Sequence, residues 1–174
     1  MVLTKDELIG ALQSEVRLIL HLASKVDAAN ADYRPTAKQR STLELLQYLT
    51  NMCPIHLRAI LASSFDMDAF GKAWNNGEAA AKAMSLEEAI ASIGTQSALI
   101  AELLGPCSDA DLCAPMEMFG STSSRGSKIV GLVLNHYAAY RMQLFLYLKA
   151  SGREELNTMN LWVGKDMAMP ARPK

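Results

Sequence analysis

The chain has 174 residues, of which half are hydrophobic and only 6% are aromatic, and its formal net charge is −1. This length allows a single domain over residues 1–174 with a core of its own, and the scarcity of β-branched and aromatic side chains favours helix over sheet. A nucleic-acid-binding protein would show a basic stripe, and no cluster of Lys and Arg stands out, so that class is disfavoured.

The first predicted helix opens with Thr4-Lys5-Asp6-Glu7, a capping box in which the Thr hydroxyl and the Glu carboxylate bind the first free N–H groups. Apolar residues then recur at helical spacing as far as Ala23. Acidic and basic residues occur throughout this stretch, so it lacks the apolar core of a signal peptide. No run in the chain reaches the roughly 18 apolar residues that a spanning helix needs. We therefore expect no membrane partner.

Three further helices are predicted. The second covers about residues 41–63 and begins with another capping box, and Pro54 should kink or split it. The third covers 85–105, from a third box to a Gly-Pro stop signal. The fourth covers about 128–150. We expect each to run for about twenty residues.

The links between these helices are long. Residues 66–84 are predicted to form a connection with a short helix interrupted at 75–77, and a second connection is rich in Ser and Gly around 120–127. No strand pattern is evident. The prediction is an all-α four-helix bundle with long connections after helices two and three. A tail from about residue 153 should pack on the bundle through Trp162.

Polar side chains interrupt the apolar stripes that the helical periodicity directs inward. On helix four the stripe through His136 also carries Tyr140, Gln143 and Tyr147. Buried polar groups need partners, so this stripe indicates a hydrogen-bonded core, a wet cavity or a ligand pocket. On helix two, Glu44 either belongs to the same pocket or only closes its capping box. The predicted pocket between the two helices is lined by Glu44, Tyr48, Met52, His136, Tyr140 and Gln143.

The other face of helix four is apolar as well. It carries Leu134, Tyr137, Phe145 and Leu148. A helix that is apolar all round lies at the centre of a fold or in a subunit interface. We therefore expect a homodimer packed through this face.

Three stretches of the chain, in this order, resemble the DinB-like four-helix-bundle superfamily: RPTAKQRSTLELLQYL, SDADLCAPM and LNHYAAYRMQLFLYLKASG. In that family helix four follows the pattern N-H-x-x-H-H-R-G-Q-x-x-x-Y-L-x-x-x-G. The positions that coincide with it are Asn135, His136, Arg141, Gln143, Tyr147, Leu148 and Gly152. The resemblance implies an up-down-down-up bundle, commonly dimeric, that holds Zn²⁺ or Ni²⁺ with three histidines. Characterised relatives include thiol-cofactor-dependent transferases and isomerases.

This chain departs from the family at the metal ligands. The helix-two ligand position is Tyr48, the two helix-four positions are His136 and Tyr140, and a neighbouring family histidine is Ala139. Neutral phenols, with a pKa of about 10, are poor ligands for either metal at pH 7. His21 lies on helix one. On a helical wheel His56 falls away from the Tyr48 stripe, so neither is expected to complete the site. We therefore expect no cofactor, with Zn²⁺ or Ni²⁺ as the less favoured alternative.

Three functions remain open. The first is a metal-free protein that binds a small organic ligand in the predicted pocket. The second is an enzyme in which His136 acts as general base with Tyr140 or Tyr48 as proton donor, or in which a metal binds through another ligand such as Glu44. The third is a structural dimer without a ligand.

The cysteines add little to these functions. Cys53, Cys107 and Cys113 are odd in number and lack CxxC spacing, which is typical of reduced thiols in the cytoplasm. No histidine is paired with them in the sequence, so catalysis through a thiol is not expected. We expect a cytoplasmic protein.

Overall fold

The computed structural model of the chain describes residues 3–166, and the two ends of the predicted domain, 1–2 and 167–174, lie outside this range. In chain order its elements are α1 (Lys5–Ala23), α2 (Thr42–Leu61), α3 (Met67–Lys82), α4 (Leu86–Gly94), α5 (Gln96–Leu104), α6 (Asp109–Cys113), β1 (Pro115–Met118), β2 (Ser121–Ser124), α7 (Arg125–Ile129), α8 (Asn135–Ala150) and α9 (Thr158–Trp162). A π-helical turn, Val130–Leu134, joins α7 to α8. The described chain is predominantly helical, which confirms the predicted all-α class.

All three predicted capping boxes are present. They join Thr4 to Glu7, Ser41 to Glu44 and Ser85 to Glu88. In each, the hydroxyl accepts from the third backbone N–H while the Glu carboxylate accepts from the N–H of the cap residue. These local bonds explain why the starts of the predicted helices match the structure closely.

The core forms where α1 and α2 each pack against α4, α5 and α8, while α3 packs on α2 from outside. Leu and Ile side chains dominate the fully buried positions, among them Leu12, Ile19, Leu45, Leu49, Ile60, Ile93 and Ile100. Burying one such side chain contributes roughly 1.5–3 kcal/mol. The same packing brings α3 and α8 against α2.

Helix α2 runs through Pro54 without a break, because another helix replaces the missing hydrogen bond. Proline has no N–H to offer the carbonyl of Thr50. The Gln96 side chain donates instead, at 3.1 Å to the Thr50 carbonyl and 2.9 Å to that of Leu49. The hydroxyl of Tyr137 in turn donates to Oε1 of Gln96. Gln96 and Tyr137 are both buried, so the hydrogen bond that replaces the missing N–H lies within the core.

The predicted connection over 66–84 is wrong, because it forms the single helix α3. The Asn-Asn-Gly sequence does not interrupt it. A Cβ at Gly77 would lie 2.9 Å from Oδ1 of Asn51 on α2, so this glycine allows the two helices to approach closely. The third predicted helix also differs, since it divides into α4 and α5 at Thr95.

The predicted absence of strands is also wrong. Strands β1 and β2 form an antiparallel hairpin with Pro115 opposite Ser124. Its turn residues Phe119 and Gly120 have φ of 53° and 71°, as a two-residue hairpin turn of type I′ requires. Phenylalanine rarely adopts positive φ, which explains why the sequence did not indicate this turn. The Lys128 ammonium fixes the hairpin by donating to the Ser121 carbonyl at 2.8 Å and the Met118 carbonyl at 3.2 Å.

The side of the fourth helix that packs into the core differs from the predicted one. Tyr137 and Leu148, predicted to lie in a dimer interface, are fully buried in the core of the chain. His136 and Tyr140, predicted to point to the core, are only half-buried, and the apolar side chain that faces outward is Leu146, 55% exposed. Because both faces are apolar, hydrophobic periodicity alone does not identify the one that packs on α1 and α2.

The segment after α8 returns to α1 and α8 through α9. Leu156 and Leu161 are buried, whereas Trp162 is 57% exposed and its ring lies over the guanidinium of Arg141 on α8, at 4.6 Å. The buried contacts of the tail are thus made by Leu156 and Leu161, while Trp162 packs on the surface of α8. Within residues 3–166, no helix combines the length and apolar character that crossing a bilayer requires.

Candidate functional site

Five aromatic side chains from three helices meet where α2, α3 and α8 come together. Tyr48 and His56 come from α2, Trp74 from α3, and His136 and Tyr140 from the first turns of α8. We refer to these five residues as the five-ring cluster. The rings form a closed circuit, in which neighbouring centroids are separated by 5.6 Å (Tyr48–Trp74), 5.6 Å (Trp74–His56), 5.7 Å (His56–His136), 6.1 Å (His136–Tyr140) and 5.0 Å (Tyr140–Tyr48).

His56 belongs to this cluster, which corrects the expectation that it lies apart from the other site residues. It is buried, and its Nδ1 lies 2.7 Å from the main-chain carbonyl of Met52. A carbonyl only accepts, so Nδ1 carries the proton and Nε2 is left as the acceptor. Burial lowers the pKa of His56, and the neighbouring His136 lowers it further, against the opposing effect of the Met52 hydrogen bond. His56 is therefore a neutral imidazole at pH 7.

His136 is the second imidazole of the cluster. Its Nδ1 atom is buried and has no hydrogen-bond partner within the described residues. Burial lowers its pKa, which favours the neutral form. A buried polar atom without a partner costs about 1–3 kcal/mol, so His136 retains a hydrogen-bonding capacity that the chain itself does not use.

The two histidines should make the fold sensitive to mild acid. Their pKa values lie below the value of about 6.5 in the unfolded chain, so the unfolded state binds more protons as the pH falls through that value. Thermal unfolding is expected at progressively lower temperature between pH 7 and pH 5. The double variant His56→Gln/His136→Gln should show a smaller decrease over the same range.

His21 contributes separately to this pH dependence, because burial lowers its pKa as well. It should persist in the double variant, and His21→Gln serves as the matched control. If the Tm of the double variant falls between pH 7 and pH 5 as steeply as that of the unchanged chain, the acid sensitivity does not come from His56 and His136.

The Tyr48 phenol of the cluster stays protonated. Burial raises the pKa of Tyr48 above its ordinary value, the Tyr140 phenol raises it further, and the Arg40 guanidinium opposes both. The carbon of that guanidinium lies 4.2 Å above the centre of the Tyr48 ring. Tyr48 therefore offers a neutral hydroxyl and a ring face already occupied by a cation.

The three positions that the DinB-like resemblance assigns to metal ligands, Tyr48, His136 and Tyr140, do converge, but their side chains do not suit a metal. They supply one imidazole and two phenols, and His56 raises the number of imidazoles to two. Zinc sites use thiolate, imidazole or carboxylate ligands, with at least three from the protein. In the part of the chain that the structure describes, no group of three or more His, Cys, Asp or Glu side chains could hold a metal ion. The donor set thus does not fit the three-histidine metal centre that the resemblance implies.

A cavity of about 380 Å³ opens on the outer side of the cluster. Tyr48 and Trp74 form its aromatic wall. The remaining lining comes from the segment before α2, the first turns of α2 and the end of α3, and its ionisable members are Asp32, Arg34, Arg40, Glu44, Glu78 and Lys82. Tyr48 is thus shared between the open cavity and the inner ring contacts with Tyr140.

The six residues of the predicted pocket occupy different places. Glu44 and Tyr48 line the cavity, whereas His136 and Tyr140 lie on the other side of the Tyr48 ring. Glu44 also closes its capping box at 2.7 Å from the Ser41 N–H. The remaining two are engaged elsewhere. Met52 is fully buried and accepts from His56, and Gln143 donates to the Tyr147 hydroxyl at 2.6 Å.

The sequence patterns did not identify three residues of the site: Trp74, Arg40 and His56. Trp74 follows Phe70 at a spacing of four, which places both on one face of a helix, but the segment was interpreted as a connection. Phe70 contacts Trp74 at 5.9 Å and extends the rings towards the hairpin, where Phe119 packs on it at 5.4 Å. The Ser- and Gly-rich segment 120–127 therefore lies at the Phe70 end of α3, while the cavity lies at the Lys82 end.

Comparison with known proteins adds no assignment to this geometry. No protein-family model matches the chain, and no curated protein matches it. The likeness to the DinB-like superfamily therefore stays a prediction that depends on the motif residues around His136.

Proposed function

We propose that the chain is a metal-free DinB-like protein that binds a small organic ligand in the cavity walled by Tyr48 and Trp74. The cavity itself is the observation that carries this proposal. Its volume of about 380 Å³ falls within the roughly 300–1,000 Å³ of small-molecule sites. Aromatic rings on one side and charged groups around the opening are the combination by which such sites give affinity and orientation.

The inner part of the five-ring cluster supports the same proposal. The Tyr48 hydroxyl and the unpartnered Nδ1 of His136 are polar groups with hydrogen-bonding capacity in an aromatic surrounding. A ligand oxygen or hydroxyl that reaches them gains a hydrogen bond in a poorly solvated place, where such bonds are strong. Tyr48 connects the cavity, which its ring lines, to the His136 and Tyr140 side chains behind that ring.

The wider family features belong to the same proposal. The packing of α1, α2, α4–α5 and α8 is compatible with a DinB-like four-helix bundle. Leu146, exposed on α8, supplies a candidate contact for the homodimer. The proposed location is the cytoplasm, where the free thiols of Cys53, Cys107 and Cys113 would stay reduced.

Tryptophan fluorescence tests ligand binding directly, because the chain has two tryptophans and only Trp74 lines the cavity. In a Trp162→Phe chain, a compound that binds the cavity is expected to change the emission of Trp74. The same compound should leave the emission of a Trp74→Phe chain unchanged, since Trp162 lies on the opposite surface of α8, beside Arg141. A broad metabolite screen with no change in emission and no rise in Tm would contradict the proposal and favour a structural dimer.

A second candidate function is supported by His136. A neutral imidazole with a free ring nitrogen, 6.1 Å from the Tyr140 ring centre, can act as general base with Tyr140 or Tyr48 as proton donor. If the chain is an enzyme, His136→Ala and Tyr140→Phe should retain ligand binding and lose turnover of the bound compound. Stoichiometric Zn²⁺ or Ni²⁺ in the purified protein, lost in His136→Ala, would overturn the metal-free part of the proposal.

A further inference from the structure

The charged groups around the cavity are balanced in number, but only two of the six are paired with each other. Of the six ionisable side chains that line it, Arg34 and Glu44 form an ion pair at 3.4 Å. Glu44 is also the acceptor of its capping box, so this pair is fully engaged. Two cations and two anions remain: Arg40, Lys82, Asp32 and Glu78.

None of these four side chains has a hydrogen bond or an ion pair to any residue within the described range 3–166. Glu78 and Lys82 stand four residues apart on α3, the spacing at which such pairs often form, and they remain apart. A ligand with one charge is attracted by two of these groups and repelled by the other two. A ligand with both charges gains from all four if its charges are placed correctly.

The carboxylate end of such a ligand is expected at Arg40. The Tyr48 ring holds the guanidinium by one face, which leaves its N–H edge free for a carboxylate. The start of α2 offers no competing anion site, because its first N–H groups are used. Ser41 donates to Glu44, Thr42 to the Tyr33 carbonyl and Leu43 to that of Ala31.

The cationic end is expected near Glu78. This residue lies one turn after Trp74 on α3, so its carboxylate and the indole share one side of the cavity. An ammonium group between them is stabilised by the carboxylate and by the ring. The apolar part of the ligand then contacts the wall formed by Tyr48 and Trp74.

We propose that the ligand of this cavity is a small zwitterion with an apolar or aromatic side chain, the charge pattern of a free amino acid. This inference depends on the proposed function, since it names the chemical class of the ligand for the same cavity. A volume of about 380 Å³ accommodates a molecule of this size. Arg40 holds its carboxylate and Glu78 holds its ammonium.

The experiment titrates the Trp162→Phe chain with the free L-amino acids and then with two analogues of the tightest one, the acid without its amine and the amine without its carboxylate. The zwitterion is expected to bind at least about ten-fold more tightly than either analogue, because each missing charge leaves about 1.4 kcal/mol or more unrealised. Arg40→Gln should weaken the amino acid and the acid but not the amine. Glu78→Gln should weaken the amino acid and the amine but not the acid.

Lys72→Gln and Glu102→Gln are the matched controls, since these exposed side chains carry the same charges outside the cavity lining. An analogue that binds as tightly as the amino acid overturns the inference, and so does a control variant that weakens binding as much as the two cavity variants. If no amino acid binds while another compound changes the emission of Trp74, the zwitterion is wrong and the proposed function stands. If no compound of any class binds, both are wrong.

Discussion

Replacing Gln96 with Met is expected to lower the free energy of unfolding by about 2–4 kcal/mol, since it leaves buried polar groups without partners. Methionine keeps the length and volume of the side chain but removes the amide. The Thr50 carbonyl then has neither the N–H that Pro54 lacks nor the amide that replaces it, and the Tyr137 hydroxyl loses its acceptor. Chemical denaturation of the two chains at pH 7 measures the difference.

A double-mutant cycle with Pro54→Ala tests the physical reason. Alanine at this position supplies an N–H to the Thr50 carbonyl, so Gln96→Met should cost at least about 1 kcal/mol less in that background. Part of the cost should remain because the Tyr137 hydroxyl still lacks its Gln96 acceptor. Gln13→Met is the matched control, since this half-buried amide donates to the Ser97 carbonyl near the surface at 3.0 Å and should cost less than about 1 kcal/mol. Equal costs of Gln96→Met in both backgrounds would contradict the account.

The helices with local start signals could be predicted closely from the sequence. The boxes at Thr4, Ser41 and Ser85 are made within four residues, so no distant contact is needed to specify them. The effect of Pro54 on α2 could not be predicted from the neighbouring residues. It depends on Gln96, which lies 42 residues away in the sequence and donates to α2 across the helix interface. The kink or break that proline normally causes depends on whether another residue bonds to the free carbonyl.

The elements that were missed depend on tertiary contacts. Helix α3 is amphipathic but has only one buried side chain, Ala81, and its uninterrupted course through Asn75-Asn76-Gly77 accompanies the close packing of Gly77 on α2. The hairpin requires Phe119 in a left-handed conformation, which is held by ring contacts with Phe65 at 4.9 Å and Phe70 at 5.4 Å. Sequence-based reasoning assigns such a residue to a strand or loop and not to a turn.

The candidate site was predicted in part. The prediction that Tyr48, His136 and Tyr140 lie together agrees with the ring contacts, because positions four apart on one helix face the same side. The predicted pocket lies between helices two and four, whereas the cavity lined by Tyr48 and Trp74 lies between α2 and α3. This cavity could not be predicted without α3, since Trp74 and Glu78 have no predicted position until that helix exists.

The motif around His136 contains residues with different tasks. Arg141, which matches the family pattern, lies on the other side of α8 from the five-ring cluster. Its guanidinium bonds to the carboxylate of Glu15 at 2.7 and 3.1 Å and to the Leu161 carbonyl at 2.7 Å, and it lies over the Trp162 ring. It therefore joins α1, α8 and α9. The stretch that carries the DinB-like resemblance thus combines a residue that holds three helices together, Arg141, with two residues of the five-ring cluster, His136 and Tyr140.

Arg141→Met is accordingly expected to cost about 3–5 kcal/mol of stability and to leave ligand binding unchanged at temperatures where the chain is folded. The cost arises because Glu15 and the Leu161 carbonyl lose their partner in a largely buried place. Glu15→Gln added to Arg141→Met should recover part of the loss, since it removes the unpaired charge. Arg153→Met is the matched control: its partners Asp27 and Glu155 are exposed, so it should cost less than about 1 kcal/mol. If folded Arg141→Met protein fails to bind a compound that changes the emission of Trp74, Arg141 belongs to the site and the division of tasks within the motif is wrong.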